Sequence, residues 1–266
     1  RDFKFHTGEV LPEVRLHYMT IGNPTGIPVV VLHGTGGSGQ SMLTPAFAGE
    51  LFGPGQPLDA EKYFIILPDA LGHGKSAKPS DGLKTKFPRY NYADMVDAQY
   101  RLVAEGLGIK HVRLIIGNSM GGMNVWLWGE KYPGYMDALV PMACQPTAMA
   151  SRNWILRRIM LESIRQDPEY ADGNYTKQPN SMKLASAFFA FATSGGTLNY
   201  QKQAPTRALA DKLVDARLAA PLTADANDFL WQWGSSGDFD AAADLEKIEA
   251  PLLLVNAADD ERNPPE

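Results

Sequence analysis

The chain divides into segments by the spacing of its apolar side chains. Residues 13–20 carry apolar side chains at even-numbered positions up to residue 18, and a period of two is typical of a strand with one buried face. Residues 28–33 and 63–68 are almost uninterrupted apolar runs. Such runs are typical of strands that are buried on both faces of a mostly parallel sheet.

Helical and extended segments then alternate. Apolar side chains recur at helical spacing between residues 91 and 108, and a second helix is predicted over residues 120–131. Apolar runs at residues 112–117 and 136–143 predict the strands before and after that second helix. Strand, crossover helix and strand in this order predict an α/β fold with a doubly wound, mostly parallel sheet.

The pattern changes after residue 145. Residues 146–239 contain helical segments and no convincing strand, with Ser151 as the expected cap of one helix and further helices over 181–193 and 205–220. A strand pattern returns at residues 251–256. The aromatic side chains of this stretch either line an apolar acyl pocket or pack between helices: Trp154, Phe188, Phe189, Trp231 and Trp233.

Three parts are therefore predicted. Residues 1–145 form the first part of an α/β core, residues 146–239 form a helical cap inserted over the carboxyl edge of the sheet, and residues 240–266 continue the core. The complete core is expected to need a further strand and helix that this sequence does not contain. No internal repeat and no low-complexity segment interrupt this division.

Composition excludes several classes of partner. Hydrophobic residues make up 44% of the chain and charged residues 21%, and the formal net charge is -5 without any basic block. Nucleic acid and anionic membranes are therefore not expected as partners, and no apolar run approaches the ~20 residues that span a bilayer. The single cysteine, Cys144, excludes an intramolecular disulfide. The compartment stays open between cytoplasm and periplasm.

No cofactor is expected from the sequence. No stretch has the ligand spacing of a metal site, and one cysteine cannot form a cysteine metal cluster. Residues 34–39 are rich in glycine but lack the lysine of a phosphate-binding loop.

The strongest chemical motif surrounds Ser119. Gly117, Ser119 and Gly121 match G-x-S-x-G between a predicted strand and a predicted helix, which is the setting of a nucleophile elbow. Serine must there occupy a sharp, strained turn, so its neighbours must be glycine to avoid clashes with the adjoining strand and helix. The helix amino end also contributes positive potential at the hydroxyl. Ser119 is the predicted nucleophile.

Acyl chemistry also needs donors for a developing oxyanion. The backbone N–H of Met120, the residue after the nucleophile, is the first predicted donor. The second is assigned to the Thr35 N–H, with Gly36 as the alternative, because residues 33–37 follow an earlier strand. His33 lies in this segment and is expected to brace the loop rather than to act as a base.

A serine nucleophile of this kind works with a histidine and an acidic residue that orients it. With a nucleophile elbow the three follow one another in the chain as serine, acid, histidine, so the acid is expected on a loop after a late strand. Asp260 is the predicted acid and Asp259 the alternative. All five histidines precede Ser119, so none occupies the expected position. Either the sequence is truncated or the remainder is a separate polypeptide. We expect the native protein to be cleaved near Glu266, with a docked carboxyl-terminal fragment that supplies the triad histidine.

These motifs resemble the branch of α/β hydrolases that contains the homoserine O-acetyltransferases and their hydrolase-like relatives. The resemblance is carried by residues 87–99, 107–109, 117–123, 162–175 and 260–265. It implies the α/β-hydrolase fold, an acid at Asp260, four residues before Pro264, and a histidine in a later motif. The typical transferases hold the amino-acid carboxylate with an arginine in a cap helix, whereas residues 181–191 offer Lys183 and no arginine. We therefore expect homoserine not to be the acceptor.

The predicted activity is hydrolysis of a small carboxylic ester through an acyl-Ser119 intermediate. One alternative is an acetyl-CoA-dependent O-acyltransferase of the homoserine acetyltransferase type. An alternative of another class is a ligand-binding protein that keeps the fold without turnover. The expected partners are a small-molecule ester and the fragment with the histidine, and a homodimer is left open.

Overall fold

The computed structural model describes residues 1–193 and 197–264. Its strands are β1 (Phe3–Lys4), β2 (Val10–Leu11), β3 (Tyr18–Gly22), β4 (Ile27–Leu32), β5 (Tyr63–Pro68), β6 (Leu114–Asn118) and β7 (Leu139–Met142). Five of them form one sheet in the order β3-β5-β4-β6-β7, in which only β3 is antiparallel to its neighbour. β1 and β2 form a separate antiparallel pair. The predicted α/β fold with a mostly parallel sheet is confirmed.

Eight α-helices accompany the strands within the described residues. They are α1 (Ala48–Leu51), α2 (Tyr92–Tyr100), α3 (Met120–Lys131), α4 (Ser151–Arg165), α5 (Ser181–Ala192), α6 (Thr197–Gln203), α7 (Arg207–Ala219) and α8 (Ala226–Gly234). Short 3-10 segments cover Gly39–Met42, Pro79–Asp81, Lys84–Lys86, Pro133–Tyr135, Pro168–Gly173 and Ala242–Lys247, and a π-helical turn, Arg101–Gly106, extends α2. Helices α4 to α8 fall in the stretch predicted as a cap; the division into domains itself stays a prediction.

The sheet is buried on both faces by alternating side chains. Val29 and Val31 of β4 belong to one apolar cluster, whereas Val30 and Leu32 belong to another on the opposite face, and all are at most 1% exposed. The second cluster includes Trp128 of α3, whose indole N–H donates to the Gln99 amide at 2.9 Å. Packing on both faces explains why the strand sequence is an uninterrupted apolar run.

Local signals place the helices that lead to the site. Asn91 caps α2, because its side chain accepts from the Asp94 N–H at 2.9 Å while the Asp94 carboxylate accepts from the Asn91 N–H at 3.1 Å. This reciprocal capping box satisfies two backbone donors that the first turn leaves without partners. Helix α3 begins and ends where the sequence predicts, at Met120 and Lys131.

Three predicted details are wrong. The strand expected over residues 13–20 lies at Tyr18–Gly22, and its inward side chains are Met19 and Ile21 rather than Tyr18, because β3 pairs antiparallel with β5 in that register. Ser151 does not cap α4: Ala150 takes the N-cap position, and Ser151 is the first helical residue with φ 50°.

The third detail concerns residues 251–256. This segment runs beside β7 but contacts it through two isolated parallel bridges, Leu139 with Leu252 and Met142 with Val255, rather than as a regular strand. Backbone bonds of 2.8–3.1 Å nevertheless tie it to β7, among them Ala143 N–H to the Val255 carbonyl at 2.8 Å. The segment therefore leads from the sheet to the loop with the predicted acid.

Candidate active site

Ser119 lies at the sharp turn between β6 and α3. Its backbone has φ 53° and ψ -119°, a conformation that serine rarely adopts, and such a conformation costs about 1–3 kcal/mol. The Ser119 N–H donates to the Met142 carbonyl at 2.8 Å, and its own carbonyl accepts from the Met123 N–H at 2.8 Å. The turn is thus held by both neighbouring elements, and the side chain is left half-buried at the amino end of α3.

The two glycines of the motif are required by close backbone contacts. A Cβ atom on Gly117 would lie 2.6 Å from the Gly121 carbonyl group, and one on Gly121 would lie 2.4 Å from the Leu32 carbonyl oxygen. These distances are too short for a methyl group, and the obstacles are backbone atoms that cannot rotate away. The turn that presents Ser119 therefore depends on glycine at both positions.

The loop after β4 approaches Ser119 from the other side. A Cβ on Gly34 would lie 3.5 Å from the Ser119 Cβ, so this loop and the serine are in close proximity. Neither the Thr35 N–H nor the Gly36 N–H donates to any described residue, whereas the Gly37 N–H donates to the Gly34 carbonyl at 3.0 Å. Met120 begins α3, where the first N–H groups have no carbonyl one turn earlier. The loop and the helix end next to Ser119 therefore carry N–H groups without partners among the described residues.

His33 is held as a neutral ring beneath this loop. Its Nε2 accepts from the Ala70 N–H at 3.0 Å, so Nδ1 is the atom that donates to the Gly34 carbonyl, at 2.8 Å. Burial lowers the pKa of His33 below its ordinary value, because the charged imidazolium would lose its hydration there. His33 thus links the loop to the chain after β5 and keeps its proton on Nδ1.

The predicted acid Asp260 is anchored within its own loop. Its Oδ1 accepts from the Arg262 N–H at 2.8 Å and from the Asn263 N–H at 3.0 Å, and no described residue donates to Oδ2. Asp260 is half-buried, whereas Asp259 is exposed and neither accepts nor donates a hydrogen bond through its side chain among the described residues. One oxygen of Asp260 is therefore fixed and the other is free.

Asn263 fastens the acid loop to the rest of the protein. It is 3% exposed. Its Nδ2 donates to the Ala143 carbonyl after β7 at 2.8 Å, and its Oδ1 accepts from Asn153 of α4 at 3.2 Å. The loop is thus tied to both the sheet and the first helix of the predicted cap.

Ser119 opens onto two adjoining cavities. One, of about 320 Å³, is lined by Ser119, Asp259 and Asp260 together with Ala143 and Thr193. The structure therefore brings the predicted nucleophile and both acid candidates to one cavity. The cavity does not distinguish between the two aspartates. Asp260 is favoured because it is half-buried and its Oδ1 accepts two backbone hydrogen bonds.

The second cavity, of about 370 Å³, lies between Ser119 and the helices of the predicted cap. Its lower wall is the loop at residues 34–37, and its upper wall is formed by Phe189, Trp233 and Arg157. Phe189 and Trp233 therefore line the cavity beside Ser119. Trp231 instead donates its indole N–H to the carbonyls of Phe87 and Pro88, and Phe188 is exposed.

Two arginines at this cavity were missed by the sequence analysis. Arg157 of α4 and Arg262 of the acid loop both line it with Ser119. Helical spacing could have found Arg157, because the apolar residues Met160, Leu161 and Ile164 follow it at three, four and seven residues. Glu162 and Arg165 follow Arg158 at four and seven residues instead. In the structure Arg157 is buried and Arg158 is exposed.

None of the histidines lines either cavity. Three of them, His6, His17 and His111, contact Asp94, Asp69 and Asp137 respectively, and His73 is fully buried beside His33. Across residues 1–193 and 197–264 no group of three or more histidine, cysteine, aspartate or glutamate side chains could hold a metal ion. In the same residues no helix is both long and apolar enough to cross a bilayer.

Comparison with known protein families shows which family the chain belongs to. A family described as having the alpha/beta hydrolase fold matches residues 27–266. The chain belongs to the α/β-hydrolase family. Membership of this family supports an enzymatic role.

Two sequence relatives of this α/β hydrolase are named as acyltransferases. The probable acyltransferase of Methanothermobacter thermautotrophicus is 31% identical over 273 residues, which cover 100% of this chain and 82% of the relative. The homoserine O-acetyltransferase of Haloarcula marismortui is 32% identical over 210 residues, or 70% of this chain, and the match spans 51% of that protein. The resemblance to this branch is confirmed.

A solved structure shows the same fold in an esterase. The acetylester hydrolase of Corynebacterium glutamicum superposes with a TM-score of 0.83 over 98% of this chain and 80% of its own, at 21% identity. At that identity the likeness concerns the fold alone. The α/β hydrolase described here thus shares its fold with proteins named as esterases.

Proposed function

We propose that this protein is a serine-nucleophile acyl enzyme that hydrolyses a small carboxylic ester. The observation that carries the proposal is the setting of Ser119: a strained turn at the amino end of α3, open to a cavity shared with Asp260 and facing amides without partners. A strained backbone costs about 1–3 kcal/mol and is typical of active sites, so its occurrence at a half-buried serine supports a chemical role. Free amides beside it are the donors that an oxyanion requires.

The reaction has two steps. The Ser119 Oγ attacks the ester carbonyl carbon, and its proton passes through a histidine to the leaving alcohol as the C–O bond breaks. Water then adds to the acyl-serine, returns the proton to Ser119 and releases the carboxylic acid. From the resemblance to homoserine O-acetyltransferases, we expect this histidine in a motif that follows the acid loop.

The remaining roles follow from the loops around Ser119. The Met120 and Thr35 N–H groups stabilise the oxyanion, each contributing about 3 kcal/mol in comparable sites. The free Oδ2 of Asp260 accepts from the Nδ1 proton of the histidine and holds the ring in the correct tautomer. Oδ1 keeps its two bonds to the loop amides throughout.

A second candidate, O-acyl transfer, is favoured by the names of the sequence relatives. The two reactions share the acyl-serine and differ in the group that resolves it, water or an alcohol. Incubating the complete protein with 4-nitrophenyl acetate in water, with and without added hydroxyl acceptors, separates them. Free acetate as the main product supports hydrolysis, and acetylated acceptor as the main product supports transfer.

The role of the acid is tested by a matched pair of variants. Asp260→Asn keeps an oxygen for the Arg262 and Asn263 amides but removes the charge, so kcat should fall by about 10³- to 10⁴-fold without loss of folding. The control Asp259→Asn, one residue away and exposed, should change kcat less than about threefold. A large loss in Asp259→Asn alone would reverse the assignment.

A fluorophosphonate probe separates an enzyme from a binding protein of the same fold. The complete protein should become labelled at Ser119, detected by mass spectrometry of its peptides. An unlabelled serine in the folded complete protein would contradict the proposed function and favour a non-catalytic ligand-binding role.

A further inference from the structure

The cavity above Ser119 contains a buried cation that has no carboxylate partner in the part of the chain that the structure describes. Arg157 is 3% exposed although it stands on α4, a helix whose other face is in solvent. Its Nε donates to Asn153 Oδ1 at 2.9 Å and its Nη1 to Ser236 Oγ at 3.3 Å. Every one of these acceptors is neutral.

The aromatic neighbours of Arg157 are also neutral. The guanidinium carbon lies 4.7 Å from the Trp233 ring centre, and the phenol of Tyr92 faces the same group. Among the described residues no carboxylate oxygen lies within 4.0 Å of the Arg157 nitrogens. Burial lowers the pKa of Arg157, yet guanidinium stays protonated in proteins, so the charge remains.

The neighbouring arginines of α4 provide the contrast. Arg158 is exposed and donates to Glu162 at 2.9 Å, and Arg152 lies 3.8 Å from Glu261. Arg165 likewise pairs with Glu162 at 2.8 Å. The one arginine of this helix that has no carboxylate partner among the described residues is therefore the one that faces Ser119.

A second arginine enters the same cavity from below. Arg262 of the acid loop donates from Nη2 to the Thr193 carbonyl at 3.1 Å and lies 5.1 Å over the Phe189 ring. Burial lowers the pKa of Arg262, while the charges of Asp260 and Glu261 on the same loop act to raise it. Arg262 therefore has acidic neighbours, whereas Arg157 adds a buried positive charge with which no described carboxylate pairs, and an anionic ligand in the cavity balances that charge.

We propose that Arg157 and Arg262 bind an anionic group of the substrate, a carboxylate within the same molecule as the ester that Ser119 attacks. This proposal rests on the proposed acyl chemistry and names its substrate class: esters that carry a carboxylate. Guanidinium suits this role because its planar donors match the two oxygens of a carboxylate. The absence of arginine from residues 181–191 therefore does not remove carboxylate binding, because α4 and the acid loop supply it.

The test compares each carboxylate-bearing ester with a neutral ester of the same chain length or ring skeleton. For a carboxylate on the acyl side, mono-4-nitrophenyl glutarate is compared with 4-nitrophenyl pentanoate. For a carboxylate on the alcohol side, 4-acetoxybenzoate is compared with 4-acetoxybenzamide. The readout is the ratio of kcat/KM for the charged ester to that for its neutral partner, measured on the complete protein. At least one ratio should exceed about 10, and which pair does so shows where the carboxylate lies.

The variants report whether these arginines create the preference. Arg157→Gln and Arg262→Gln should each lower that ratio by about 10- to 100-fold, the expected loss of a hydrogen bond to a charged group. Arg157→Lys, which keeps the charge and packs similarly, should lose less. Arg158→Gln, an exposed site on the same helix, is the control and should keep the wild-type ratio.

Binding is measured separately from turnover. Glutarate in the millimolar range should raise the Tm of the wild type and of Arg158→Gln, and should not raise that of Arg262→Gln, because a ligand stabilises the state it binds. Ratios near 1 in the wild type, or the same ratio in all variants, would overturn the proposal while leaving the acyl chemistry intact. A glutarate effect without labelling of Ser119 by the fluorophosphonate would instead refute the acyl chemistry and retain the anion site. Should Arg157→Gln fail to fold, the kcat/KM ratios of the wild type and of Arg262→Gln still test the proposal.

Discussion

The strained backbone at Ser119 predicts that a serine at this position lowers the free energy of unfolding. Its φ of 53° and ψ of -119° lie in a region that glycine adopts freely and other residues avoid. Replacing Ser119 with glycine should therefore relieve strain, whereas replacing it with alanine should remove only the hydroxyl. No described residue contacts that hydroxyl through a hydrogen bond, so alanine leaves no buried partner unsatisfied.

The magnitude follows from two opposing effects. Relief of the strained conformation contributes about 1–3 kcal/mol to the free energy of unfolding of Ser119→Gly. Glycine also gains freedom in the unfolded chain, which costs about 0.5–1 kcal/mol relative to alanine. The net expectation is that Ser119→Gly is more stable than Ser119→Ala by about 1 kcal/mol. For a domain of this size, that difference raises Tm by about 2–4 °C.

The assay is denaturant unfolding of both variants, followed by circular dichroism, with the alanine variant as the reference. Neither variant should form an acyl-enzyme, so activity and stability should separate at this one residue. A glycine variant that is less stable than the alanine variant would refute the reasoning, because it would mean that the backbone at residue 119 is not strained.

Three further predictions concern packing and titration. Gly121→Ala should destabilise the fold by about 3 kcal/mol or more in denaturant unfolding, since its Cβ would lie 2.4 Å from the Leu32 carbonyl oxygen; Gly134→Ala, with open space around it, is the control, and equal losses would contradict the clash. Burial raises the pKa of Glu130 to about 7 from 4.5, so the unfolded state binds fewer protons between these values and this group makes stability fall as pH rises from 4.5 to 7. Glu130→Gln should remove that fall, measured as the free energy of unfolding against pH, and an unchanged slope would refute it. Burial raises the pKa of the Cys144 thiol to about 12, so a thiol reagent at pH 8 should modify it only after unfolding, and rapid reaction of the native protein would count against its burial.

The sharp turn at Ser119 was predictable from sequence because its causes are local. Glycine at 117 and 121, and the change from an apolar strand to a helix, are properties of neighbouring residues. The structure adds the distances that make those glycines necessary. Helix α3 and strand β5 likewise have the predicted bounds, since a change of period marks their ends.

The wrong predictions concern features that are set by contacts with residues distant in the sequence. The register of β3 is set by β5, more than forty residues later in the chain, and this pairing turns Met19 and Ile21 inward. Serine is a residue type that often caps helices, yet Ala150 rather than Ser151 takes the N-cap position of α4, because the path of the chain out of the sheet places it there. A capping propensity of about 1 kcal/mol is small enough for tertiary packing to override.

By itself, the sequence determined the fold class and the turn at Ser119, because both rest on short-range periodicity and turn chemistry. Helical spacing also separates Arg157, on the apolar face of its helix, from Arg158. Only the tertiary structure decided which side chains meet at the cavity, because helix packing depends on contacts between residues distant in the sequence; it leaves Arg157 buried and Arg158 exposed. The meeting of Arg157, Arg262 and Ser119 joins three distant segments of the chain, and so it became visible only in three dimensions.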